Sequence, residues 1–227
     1  MATVSTFPPS RRETRRAIDA SRPHAYFVEQ ERGESGEIIS VATVFLTNRE
    51  CPWRCIYCDL WKNTLTETVP SGAIPAQIDF ALAQPRGATC SQIKLYNAGS
   101  FFDPKAIPLE DFPAIAARLS DFERIIVECH PALVGASAVR FRDLLIRASR
   151  STLEVAMGLE IADDALLAKL NKRMTLAMFA RAAKFLREHD IAMRAFVMVK
   201  PPFVRTEEEA LIFSNRSVDF AFDCGAT

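Results

Sequence analysis

Three cysteines fall within the stretch Cys51-Pro52-Trp53-Arg54-Cys55-Ile56-Tyr57-Cys58, a C-x3-C-x2-C array. Thiolates are soft ligands suited to iron–sulfur clusters and zinc. A structural zinc closes with four ligands, and an electron-transfer four-iron cluster also takes four cysteines. Three thiolates on a four-iron cluster leave one iron open to a small molecule. The alternative is a zinc or disulfide arrangement that borrows Cys90, Cys129 or His130 from elsewhere; zinc spacings are built from paired knuckles, and only one group is present. Cys90, Cys129 and Cys224 read as packing residues, and His130 as a hydrogen-bonded loop residue.

These cysteines directly follow residues 38–47, a β-branched and apolar run (Ile38, Ile39, Val41, Val44, Phe45, Leu46) with the pattern of a strand buried on both faces. Four more short apolar segments, 92–96, 124–129, 153–159 and 192–199, have the same character. Between them lie helical periodicities: Phe112, Ile115, Leu119, Phe122; Phe141, Leu144, Leu145, Ala148; and Phe179, Ala182, Ala183, Leu186. Strands alternating with helices predict an α/β fold with a parallel sheet, either doubly wound or, the preferred reading, a partial (β/α) barrel. Both architectures gather function at the carboxyl ends of the strands.

Those ends supply the other candidates. The second strand runs into Tyr96-Asn97-Ala98-Gly99-Ser100-Phe101-Phe102-Asp103, where Gly99 permits a tight turn. The fourth ends in Met157-Gly158-Leu159-Glu160; Glu160 is either a site carboxylate or, beside Asp163 and Asp164, a complement to a helix dipole. The fifth ends in Lys200-Pro201-Pro202-Phe203, whose prolines stop the strand and aim Lys200 at an anionic substrate or at solvent.

The cysteine spacing, Tyr57 just before the third cysteine, and the position after the first strand together resemble the radical S-adenosylmethionine superfamily. The resemblance implies that Cys51, Cys55 and Cys58 hold a [4Fe-4S] cluster whose open iron chelates the amino and carboxylate groups of S-adenosylmethionine. Reductive cleavage would then release a 5′-deoxyadenosyl radical that abstracts hydrogen from substrate. It further implies adenine contact for Tyr57, with plain packing as the alternative. The turn at Asn97, Gly99 and Ser100 would receive the cofactor's amino group, although it departs from the double-glycine form usual there. Glu160 would meet the ribose or carboxylate.

Within the superfamily, residues 38–203 are most similar to the elongator-like group, and within that to the archaeosine-biosynthesis radical proteins, through the cysteine loop, the Asn-Ala-Gly-Ser-Phe-Phe-Asp turn and the Gly-Leu-Glu and Lys-Pro-Pro-Phe endings. This implies C–N cleavage in a lysine adduct of a tRNA base, a lysine-transferring synthase as partner, and an electron donor of flavodoxin or ferredoxin type. A radical enzyme acting on a small molecule or protein, and a non-catalytic iron–sulfur or zinc module, stay open.

Composition sets the remaining bounds. At 227 residues, 49% of them hydrophobic, the chain can build one core, and its 28 basic and 28 acidic residues create no global field toward nucleic acid. No apolar run is long enough for a transmembrane span or signal peptide, so a cytoplasmic protein without membrane contact is expected. Residues 1–36 read as a lead-in with a short basic helix over 12–20, and 37–227 as the core domain. Arg11, Arg12, Arg15, Arg16 and Arg22 face only Glu13 and Asp19, which suits a phosphate-contacting arm or a solvated helix face. Residues 222–227 read as a helix end with its Gly cap. Only five strands are counted before that end; a sixth is expected to be missing, its open edge to need cover, and the chain alone to bind the cofactor poorly.

Overall fold

The computed structural model describes residues 18–33, 35–84, 90–149 and 151–226. In chain order it contains β1 (Ala25–Arg32), β2 (Ile38–Leu46), α1 (Ala73–Leu82), β3 (Gln92–Asn97), α2 (Phe112–Arg118) and β4 (Arg124–Glu128). There follow α3 (Ala136–Ser149), β5 (Thr152–Glu160), α4 (Asp164–Lys169), α5 (Leu176–Glu188), β6 (Ala192–Val197) and α6 (Glu207–Asp223). The sheet order is β1 through β6 without a reversal, so there is no switch point of the doubly wound kind.

The five expected strands are β2 to β6, all parallel. The sheet's sixth member comes from residues read in the sequence as lead-in: β1 pairs antiparallel with β2 along its whole length, Ala25 opposite Phe45 to Arg32 opposite Ile38. Its alternation is masked in the sequence by charge, because Glu29 and Glu31 point to a charged layer and not to solvent. The basic helix expected over 12–20 lies, up to residue 17, outside the described residues; Ile18 and Asp19 are irregular. Among the described residues no helix is long and apolar enough to cross a membrane.

Strand alternation gives the sheet two unlike faces. One presents Val44, Leu46, Ile93, Leu95, Ile125, Val127, Val155, Met157 and Met193 to the helices, all buried in one hydrophobic cluster. Phe101 and Phe102, from the turn after β3, join it: Phe101 stacks on Phe112 at 5.6 Å and meets Phe141 at 4.9 Å. Those two side chains anchor the turn in the core.

The other face carries charge. Lys94 is paired with Glu29 and Glu31, Arg194 with Glu31 and Glu154, and Arg124 with Glu154. The Glu31–Arg194 pair joins β1 to β6, the two edges of the sheet, at 3.3 Å. Tyr96 of β3 likewise reaches Phe196 of β6, with ring centroids 5.9 Å apart. Both contacts require the sheet to curl into an open, barrel-like trough. Beyond β6, Thr206 and Glu209 form a capping box at the start of α6, and Gly225 (φ 93°) ends it with the Ala226 N–H on the Ala221 carbonyl, the expected glycine cap.

Glu154 binds two arginines with a side chain only 2% exposed. Its removal takes charge-assisted hydrogen bonds from both Arg124 and Arg194, so Glu154→Ala is expected to cost about 1.5–3 kcal/mol in denaturant unfolding. A loss below about 1 kcal/mol would mean that the charged layer does not hold the curl.

Candidate active site at the carboxyl ends of the strands

The cysteine loop leaves β2 and rests on the segment between α4 and α5. The Ile56 N–H donates to the Leu170 carbonyl at 3.1 Å, and the Asn171 amide donates to the Arg54 carbonyl at 2.7 Å. Cys51, Cys55 and Cys58 are free thiols, each half-buried. Burial first, then the nearby Cys55 and Cys58, pushes Cys51 up to about 11. Burial also raises Cys58. Such thiols stay protonated in neutral water and become ligands when a metal displaces the proton. Among the described residues no three His, Cys, Asp or Glu side chains are gathered as for one metal ion. Ligands of a cluster bind separate irons and stand farther apart than ligands of a single ion.

The turn after β3 lies against this loop. Gly99 has φ 144°, a region that side chains disfavour, and a Cβ there would sit 3.5 Å from the Cys51 Cα. Asn97 is 3% exposed, yet neither atom of its side-chain amide has a partner. Ser100 is turned inward: its hydroxyl accepts the His130 N–H at 2.8 Å and ties the turn to the end of β4.

At the end of β5 a register shift between Gly158 and Glu160 accompanies a left-handed backbone at Glu160 (φ 64°). The bulge turns the carboxylate inward, where Lys172 Nζ donates to it at 2.7 Å; both side chains are 11% exposed. A Cβ on Gly158 would overlap both Glu160 Oε1 and Lys172 Nζ, so this glycine is the floor on which the pair sits. The Tyr57 hydroxyl lies in hydrogen-bonding range of Glu160 and Cys55, and burial followed by those neighbours drives its pKa up. The helix-dipole reading of Glu160 does not describe this arrangement. Asp163 caps α4 instead, accepting the Leu166 N–H at 2.9 Å. Lys200 is paired with Glu207 in the first turn of α6.

Sequence reasoning missed two residues. Lys172 sits in a polar link with no periodicity to flag it, and its charge acts on Cys51, Glu128 and His130 together. Glu128 ends β4, a position where a carboxylate after a buried run was a readable signal. Burial pushes it up to about 7, against the pull of Lys172 and of the Asn97 N–H that it accepts. Trp53, assigned no role from sequence, stacks on His130 at 3.9 Å and 11°. The His130 ring accepts the Ala132 N–H at Nδ1, so Nε2 carries the proton and donates to the Lys172 carbonyl at 3.0 Å. Burial lowers its pKa to about 4. His130 is thus a neutral, hydrogen-bonded peg that joins the cysteine loop, the β3 turn and the Lys172 segment.

Two opposed pH effects follow. Unfolded histidine takes its proton near 6.5 and His130 only near 4, so its contribution to stability is lost as pH falls through that window. Folded Glu128 keeps its proton up to about 7 against an ordinary 4.5, so its contribution is lost as pH rises from 4.5 to 7. Glu128→Gln is expected to stabilise the protein at pH 8 by on the order of 2 kcal/mol and to change little at pH 4.5, by urea unfolding. Destabilisation at pH 8 would show a carboxylate held favourably as the anion.

No family model matches the chain. An uncharacterised protein of Methanocaldococcus jannaschii is 21% identical over 94% of this chain and 60% of its own length. Archaeosine synthase subunit beta of Methanosarcina acetivorans is 25% identical over 79% of this chain and 53% of its own length. That of Thermococcus kodakarensis is 29% identical over 49% and 35%. The chain therefore spans three-fifths or less of the curated relatives it matches. Among solved structures, the cobalamin-dependent S-adenosylmethionine radical enzyme OxsB, with aqua-cobalamin and S-adenosylmethionine bound, superposes with a TM-score of 0.53. The match has 15% identity and covers 84% of this chain and 31% of OxsB. In sequence the chain is similar to archaeosine synthase subunit beta, and in fold it is similar to a radical S-adenosylmethionine enzyme.

Proposed function

We propose that this chain carries the core of a radical S-adenosylmethionine enzyme, with Cys51, Cys55 and Cys58 as ligands of a [4Fe-4S] cluster. The observation that carries the reading is the three-thiol loop at the carboxyl end of the sheet, set beside a buried lysine–glutamate pair. When bound, the cluster supplies the electron for reductive cleavage of S-adenosylmethionine at its open iron. The chain's own residues then have these tasks. Lys172 offers its ammonium to the cofactor's carboxylate. Gly99 lets backbone approach the amino group, and the Asn97 amide, otherwise unpartnered, supplies a polar contact. Glu160, held by Lys172, accepts hydroxyl hydrogens of the ribose, while Tyr57 packs at the adenine side and shields the loop from water.

The substrate is read as a base in tRNA, with C–N cleavage of a lysine adduct as the reaction. A lysine-transferring synthase is the partner, and a flavodoxin or ferredoxin the reductant. This part is supported by the names of the two archaeosine synthase relatives and by the β-subunit designation they share. Lys200, paired with the exposed Glu207, can exchange that partner for an anionic group of the cofactor or substrate. β1 covers the edge of β2 and not that of β6, where the further parallel strand is expected to be missing, so weak cofactor binding by this chain alone is still the outcome we expect.

The test is anaerobic reconstitution. About four irons and four sulfides per chain are expected, lost in Cys55→Ala, with zinc absent. Lys172→Met, checked for folding by thermal melting, should weaken S-adenosylmethionine binding roughly tenfold to a hundredfold, the worth of a charged hydrogen bond. Undiminished iron in Cys55→Ala would contradict the ligand set.

A further inference from the structure

The helical layer outside the sheet is electrically polarised, although the chain as a whole is neutral. α3 and α5 together carry six basic residues against two acidic ones, whereas α6 carries one basic residue against five acidic ones. Between α3 and α5 runs a cleft of about 550 Å³. Arg140, Leu144 and Arg147 of α3, at i, i+4 and i+7, line one wall, and Phe185 and His189 line the other. Both arginines are exposed, and among the described residues neither guanidinium has a hydrogen-bond or ion-pair partner.

The groups that would repel an anion here are already occupied. Asp143, which also lines the cleft, is held by Arg142 at 2.6 Å. Arg142 donates as well to the His189 carbonyl, covering the negative end of α5. Phe185 and His189 stack with ring centroids 4.2 Å apart and planes at 30°. The His189 Nδ1–H donates to the Phe185 carbonyl at 2.8 Å, which fixes the ring pair.

An arginine without an acid beside it meets a phosphate through paired N–H donors. Arg140 and Arg147 stand about 10 Å apart along the helix, a spacing that suits successive groups of a polyanion more than one small anion. Stacked rings beside these cations add a surface for a nucleobase, which an acidic peptide would leave unused. α5 starts next to the Lys172 segment and its 13 residues end at this cleft, about 20 Å away. A ligand that reached both ends of α5 is a macromolecule.

We infer that the α3–α5 cleft is a docking surface for RNA, with Arg140 and Arg147 on backbone phosphates and Phe185 against an unpaired base. The acidic α6, which meets α5 through Phe179 and Phe220, repels the same backbone and bounds the surface. The inference rests on the reading of tRNA as substrate and adds where, away from the cysteine loop, that substrate is held.

Fluorescence anisotropy of an end-labelled tRNA transcript with the reconstituted full chain, at several salt concentrations, tests this. Arg140→Gln combined with Arg147→Gln should weaken binding at least tenfold and lower the slope of log affinity against log salt by about 1.4–1.8, the release expected from two phosphates. Arg32→Gln combined with Arg216→Gln removes the same charge elsewhere and should change affinity by less than about threefold. Phe185→Leu should weaken binding about fivefold at an unchanged salt slope. The inference is overturned if the unaltered chain does not bind the transcript, if the Arg140/Arg147 variant binds as well as the unaltered chain, or if the control variant loses as much. Displacement of the transcript by polyglutamate at equal charge concentration also overturns it, and assigns the cleft to an acidic protein. Iron content, measured on the same preparations, should be equal in all variants; its loss in the Arg140/Arg147 variant would make the effect one of folding and overturn the inference. Arginine-dependent RNA binding by an unaltered chain that assembles no cluster would leave the surface standing and remove the radical-enzyme reading.

Discussion

A lysine and a glutamate buried side by side are an expensive arrangement, and the site is organised around one. Desolvating two ions costs several kcal/mol apiece, which their attraction offsets only when geometry is good and neither loses its partner. Here the geometry is set by three local devices: the bulge at the end of β5, the left-handed backbone of Glu160, and the missing Cβ of Gly158. The lysine arrives from a separate segment that also supports the cysteine loop through Leu170 and Asn171. Moving the pair therefore moves the loop.

The same economy governs the sheet. Its helix-facing side is an ordinary apolar core, but the concave side substitutes charge for hydrophobic contact. Acids and bases balance along Glu29, Lys94, Glu31, Arg194, Glu154 and Arg124, with Lys94 and Glu154 buried and the others half-buried. Ion pairs reach across an open trough where apolar side chains would collapse it or leave a void. Edge is joined to edge at one end of the trough through Glu31 and Arg194, while the Glu160–Lys172 pair lies at the carboxyl ends of the strands.

How much of this was legible in the sequence depended on how local each signal was. The parallel strands announced themselves as apolar runs, and the cysteine array and the Asn97–Ser100 turn by spacing and glycine. β1 did not, because Glu29, Glu31 and Arg32 read as solvent-facing when two of them serve an internal charge layer. Lys172 was invisible for a different reason: its role arises from a contact 12 residues away that only the bulge creates. Lys200 went the other way, its motif being local while its charge is taken by a glutamate in the next helix. The inward turn of the Ser100 hydroxyl likewise depends on β4, which no spacing within its own loop encodes.

The proposed cluster has one open iron beside Lys172 and Glu160. Mössbauer spectroscopy of protein reconstituted with iron-57 observes that position directly, with and without S-adenosylmethionine. One iron of the four should change its isomer shift on adding the cofactor while three stay as they were, and the change should vanish in Lys172→Met at the same cofactor concentration. Four irons that remain equivalent with the cofactor present, or a single tetrahedral metal in their place, would contradict it.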